Sequence, residues 1–73
     1  MMSGIGPHTV VAILDDMPEH CLVRGQVGTV VEIWTPGVYE VEFSDDSGHT
    51  YAMLSLRPDQ IMALHQEPVI QAA

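Results

Sequence analysis

Arg24-Gly25-Gln26-Val27-Gly28-Thr29-Val30-Val31-Glu32-Ile33-Trp34 is the stretch on which the fold turns. Two glycines three apart lead into a block of β-branched residues, the pattern of a tight turn feeding a bent strand. Gly28 falls inside the strand pattern, where glycine marks a β-bulge or the close approach of another backbone. Apolar residues occupy both phases through Val30, Val31, Ile33 and Trp34. A bend at Gly28 would let both phases be partly buried.

Working outward, His8 to Leu14 is a run of β formers, apolar on both phases, and predicts a first strand covered on two sides or crossing a small barrel. Asp15-Asp16-Met17-Pro18-Glu19-His20 breaks that pattern and predicts a loop of roughly ten residues. A short helical turn started by Asp16, with Pro18 in its first turn, is the alternative there. Downstream, Thr35-Pro36-Gly37-Val38 is a turn: Pro36 presets its dihedral and Gly37 allows positive φ. In Val38-Tyr39-Glu40-Val41-Glu42-Phe43, Tyr39, Val41 and Phe43 share one face and the glutamates the other. Ser44-Asp45-Asp46-Ser47-Gly48 predicts a hairpin loop, and His49 to Leu54 the returning strand. Pro58-Asp59-Gln60 predicts one turn of 3-10 helix, and Ile61 to Leu64 a last short strand. Five short strands with tight later turns amount to a small all-β barrel over residues 8–65, with 1–7 and 66–73 as flexible termini.

Seventy-three residues form one domain at most, near the lower limit at which a single core suffices. The 47% hydrophobic content excludes a disordered chain, and the 5% aromatic content requires a mostly aliphatic core. Ten acidic residues face only Arg24 and Arg57, for a net charge of −8. Such a chain is repelled by phosphate backbones and anionic membranes and attracted to a basic partner. Cys21 is the only cysteine and has no internal partner, which places the expected setting in a reducing cytosol. The N-terminus lacks the pattern of a signal peptide, and no window has the roughly 18 apolar residues of a bilayer span.

Two resemblances sharpen the label. Arg24-Gly25-x-x-Gly28-x-Val30 resembles the glycine–hydrophobic motif of KOW domains, which are SH3-like barrels. The longer pattern runs Gly25-Gln26-Val27-Gly28-Thr29-Val30-Val31-Glu32, then Tyr39-Glu40-Val41-Glu42-Phe43, then Gly48 to Leu54. It resembles a family of small bacterial proteins known only as a domain of unknown function, over about residues 8–65. The resemblance implies a five-stranded SH3-like barrel with a 3-10 turn before the last strand, and brings no activity or site residues with it.

No residue pattern carries chemistry. Adjacent His20 and Cys21 lack the spacings through which two side chains converge on one ion, and His8, His49 and His65, at strand starts or ends, meet only if the fold brings them together, so no metal or cofactor is expected. Neighbouring His20 and Cys21 point apart on an extended loop and make a poor nucleophile pair. Asp15-Asp16 and Asp45-Asp46 lack the alternating spacing of a calcium loop. Glu40 and Glu42 lie on the face opposite the expected core and read as outer wall. Two arginines fall short of the roughly six phosphate contacts of an ordinary nucleic-acid binder. A groove for proline-rich peptides needs more exposed aromatics than Trp34, Tyr39, Phe43 and Tyr51 supply.

The expectation is therefore a non-enzymatic acidic interaction module, of the antitoxin, immunity or accessory-subunit kind, covering a basic protein surface. A homo-oligomeric structural protein, using a barrel edge or Trp34, is the competing class, and a KOW-like nucleic-acid module the third. Candidate partner contacts are Asp15, Asp16 and Glu19 on the first loop, Asp45 and Asp46 on the hairpin tip, and Trp34 as core residue or apolar anchor.

Overall fold

The computed structural model describes residues 4–68. Its strands are β1 (Val10–Ile13), β2 (Val27–Thr35), β3 (Val38–Ser44), β4 (Thr50–Leu56) and β5 (Ile61–Ala63), with 3-10 turns at Pro18–His20 and Pro58–Gln60. The strands form one antiparallel sheet in the order β4-β3-β2-β1-β5. Four consecutive strands meander, and the 3-10 turn returns the chain so that β5 pairs with β1. This is the expected all-β, SH3-like barrel. Among the described residues, no helix is long and apolar enough to cross a membrane.

The inward faces are Val11 and Ile13 of β1, Val30 of β2, Tyr39, Val41 and Phe43 of β3, Leu56 of β4 and Ile61 of β5. Tyr39, Val41 and Phe43 are buried as their alternation predicts, and face Leu56, Leu54 and Ala52 across the ladder. In β1, Val11 and Ile13 enter the core, while Ala12 on the outer side sits between its register partners Val27 and Met62 and is also buried. That shelter accounts for apolar residues on both phases of the strand.

The central strand departs from expectation at one point. Gly28 is paired with Val11 in regular register, so it is a close-approach glycine and not a bulge. The irregularities lie further on, where Val31 and then Trp34 are the extra residues of β2 against β3. The first bulge resets the alternation: Gly28 and Val30 face inward, and after Val31 it is Ile33 that packs on the core while Glu32 is exposed. One added residue reverses the facing of everything after it.

Boundaries shift for local reasons. His8 has φ 73° within a turn in which Thr9 N–H donates to Gly6 O, so β1 begins at Val10. Strand β4 runs to Leu56 because Ser55 and Leu56 still pair with Glu40 and Tyr39, and Arg57-Pro58 ends it. The first 3-10 turn is capped by Met17, not Asp16. Gly37 takes φ 89° in the β2–β3 turn, as its position requires. Ile5 packs against the core from outside the expected 8–65 boundary. The expectation of flexible termini falls, at 1–3 and 69–73, outside the described residues.

The long first loop is pinched by paired backbone bonds between Met17 and Leu22, at 2.9 and 3.1 Å. Both side chains join the core, Leu22 being 1% exposed. The loop thus serves as a plug for one end of the barrel.

Candidate functional site

The loop that plugs the barrel also builds one of the concavities among the described residues. Asp15, Asp16, Met17, Glu19 and His20 face Leu54, Ser55 and Leu56 of β4 and Gln60 of the second 3-10 turn across an open cleft of about 480 Å³. Strand β4 is an edge of the sheet, so the cleft lies along its unpartnered side. The three first-loop acids named by the sequence therefore come together on one border of this cleft.

Their roles differ. Asp16 Oδ1 accepts from the Arg24 backbone N–H at 2.8 Å, tying the two limbs of the loop together. Asp15 and Glu19 are exposed, Glu19 on the 3-10 turn itself. A carboxylate that braces its own loop has less freedom to serve a partner, which leaves Asp15 and Glu19 as the available charges.

Asp45 and Asp46 are elsewhere. They sit on the β3–β4 tip, separated from the cleft by most of β4, on the order of 20 Å along the strand. Asp45 Oδ1 accepts from the backbone N–H groups of Ser47 and His49, both at 2.9 Å, and its Oδ2 lies 3.6 Å from His49 Nδ1. Asp45 folds the tip; Asp46 is exposed.

Trp34 is not a core residue: it is 63% exposed. Its indole N–H donates to Glu40 Oε1 at 3.3 Å, and the Ser55 hydroxyl donates to the same oxygen at 2.7 Å. Since Ser55 also borders the cleft, the Trp34–Glu40–Ser55 chain links the indole to the cleft's rim. Beyond Glu40, the outer sheet face carries Glu32, directly opposite it, and Glu42, which accepts from the Thr50 hydroxyl. Alternation in β3 placed Glu40 and Glu42 outward but gave no sign of their contacts with Trp34, Ser55 and Thr50, because those depend on the bulges and the register.

Among the described residues, no group of three or more His, Cys, Asp and Glu side chains is arranged to hold a metal ion. His8 precedes β1, His20 borders the cleft, His49 is on the tip and His65 follows β5. Cys21 is free and exposed in a left-handed conformation (φ 59°). What the surface offers is negative charge beside an apolar wall, an open strand edge and two exposed aromatics, Trp34 and Tyr51.

No curated protein matches this sequence, and no solved structure does. The family described as Domain of unknown function (DUF4926) matches residues 8–63, from the turn before β1 through the last residue of β5. With most of its length in that match, the chain belongs to the DUF4926 family.

Proposed function

We propose that this chain is a non-catalytic acidic module that covers a basic surface of a partner protein, as an antitoxin, immunity-type or accessory subunit does. The observation that carries the reading is the convergence of Asp15, Asp16 and Glu19 on the border of a cleft beside the open edge of β4. The chain has little positive charge with which to neutralise them. Arg57 donates to the carboxylate of Asp59, at 3.0 and 3.5 Å, which leaves Arg24 as the only other basic side chain apart from histidine. Opposed potentials of this kind speed encounter and exclude wrong partners. The free thiol of Cys21 suits a reducing cytosol.

The test is affinity capture from the source cells with the wild-type chain and an Asp15→Lys/Glu19→Lys variant in parallel, followed by binding kinetics on the captured protein. Asp16 is left intact because it braces the loop. A basic protein should be captured by the wild type, and the variant should associate with it more slowly and with weaker salt dependence. Unchanged association kinetics would assign those acids to solubility alone.

One observation favours the homo-oligomeric reading. The outer face formed by β5, β1 and the start of β2 presents Met62, Leu64, Val10, Ala12, Val27 and Thr29, with no charged residue among them. Val27 and Met62 are 46% and 50% exposed. Size-exclusion chromatography of the pure chain separates the two: a monomer favours the partner-covering module, and a dimer sensitive to Met62→Glu favours self-association.

A further inference from the structure

The exposed indole of Trp34 lies where two physical features meet. The second of the two bulges in β2 leaves Trp34, like Val31 before it, without a register partner on β3, and bulges serve to re-aim a side chain. The bond to Glu40 Oε1 then holds the ring at the surface, 63% exposed, where a free tryptophan would otherwise move over the sheet. An exposed but tethered tryptophan has already lost part of the conformational entropy that binding would cost, the property of an anchor residue.

Its surroundings specify the chemistry of what it would anchor. Glu32 and Glu40 are directly opposed across β2 and β3, and like charges in that relation destabilise a sheet. Among the described residues neither arginine relieves them: Arg57 is engaged by Asp59, and Arg24 lies on the first loop. An apolar partner would bury these carboxylates without compensation. A second copy would bring the same carboxylates face to face. A cation is the complementary occupant, and the indole selects among cations. A guanidinium stacks on an aromatic plane and pairs with carboxylates through a planar fork, whereas an ammonium is a compact, strongly hydrated point charge. The indole is what distinguishes this surface from the chain's other acidic stretches.

We infer that Trp34, Glu32 and Glu40 form an arginine-reading surface on the outer face of β2 and β3, with the guanidinium of an exposed partner arginine lying against the indole and pairing with the two carboxylates. This rests on the reading of the chain as a module for basic protein surfaces, and names the side chain such a surface would present.

Trp34 is the only tryptophan, so its emission reports on the surface directly. The probes are two capped peptides, tetra-arginine and tetra-lysine, titrated at low ionic strength to limit screening, about 0.02 M. The arginine peptide should change the emission saturably and bind about threefold or more tighter than the lysine peptide. Glu40→Gln and Glu32→Gln should each weaken arginine binding several-fold while the circular dichroism stays native. Trp34→Leu, followed by calorimetry, should abolish the preference for arginine over lysine. Equal affinities for the two peptides would overturn the inference. So would a preference that survives Trp34→Leu, or the absence of saturable binding. The peptides do not depend on finding the natural partner, so failure here leaves the cleft reading standing, and failure of the capture experiment leaves this one standing.

Discussion

A Cβ added at Gly28 would stand 2.7 Å from Val41 Cγ1 and 2.9 Å from both the Glu42 carbonyl oxygen and Phe43 Cδ2. Val41 and Phe43 are fully buried and the third neighbour is backbone, so none can yield cheaply. Gly28→Ala should therefore lower stability by about 1–3 kcal/mol, and Gly28→Val by more despite valine's strand preference. Urea denaturation checks this; an alanine variant as stable as wild type would show that the neighbouring strand moves freely. A similar contrast separates two adjacent aspartates. Asp45 accepts two backbone N–H bonds, so Asp45→Ala should cost about 1 kcal/mol, whereas Asp46→Ala should stay within about 0.5 kcal/mol of wild type. The sequence Asp45-Asp46 looks like a matched pair of surface charges. Only the geometry of the tip tells the structural member from the free one.

Elements differ in how far their residues announce them. β3 was legible because strict alternation of Tyr39, Val41 and Phe43 with Glu40 and Glu42 leaves one way to face the core. β2 was legible as a strand but not in its facing, since the bulges at Val31 and Trp34 reset a period that periodicity assumes to be constant. The same bulges hid the surface around Trp34: its contact with Glu40 joins residues whose proximity follows from register, not from spacing. The acids of the first loop, Asp15, Asp16 and Glu19, are all exposed, while its apolar residues are harder to place from the sequence. Leu22 lies in a loop by sequence and in the core by structure, at 1% exposure. Leu22→Ala should accordingly cost about 2–5 kcal/mol, as a strand core residue would, with the loss seen in chemical denaturation. A loss below about 1 kcal/mol would mean that the loop plugs the barrel only loosely.

At the scale of the whole molecule, charge dominates behaviour. Ten carboxylates on so small a surface repel one another, and two arginines offset little of this. The same excess opposes nucleic acid despite the KOW-like motif, so no mobility shift is expected for single- or double-stranded probes at about 0.15 M salt. It also makes folding sensitive to ionic strength. The compact barrel brings Glu32 opposite Glu40, with Glu42 next on the same face of β3, whereas the unfolded chain spaces its charges further apart. Raising sodium chloride from about 0.01 to 0.15 M shortens the screening length from about 30 to 8 Å, which weakens repulsion across the surface more than contacts within the core. Tm should therefore rise with salt over that range. For a domain of this size each 1 kcal/mol gained corresponds to roughly 4–8 °C. Sodium chloride is preferred to sulfate, whose exclusion from protein surfaces stabilises folds regardless of charge. Glu32→Gln should raise Tm at low salt and reduce the further gain on adding salt, because it removes one of the two opposed carboxylates. A Tm that falls with added salt would instead show that attractive pairs, such as Arg57 with Asp59, outweigh the repulsion.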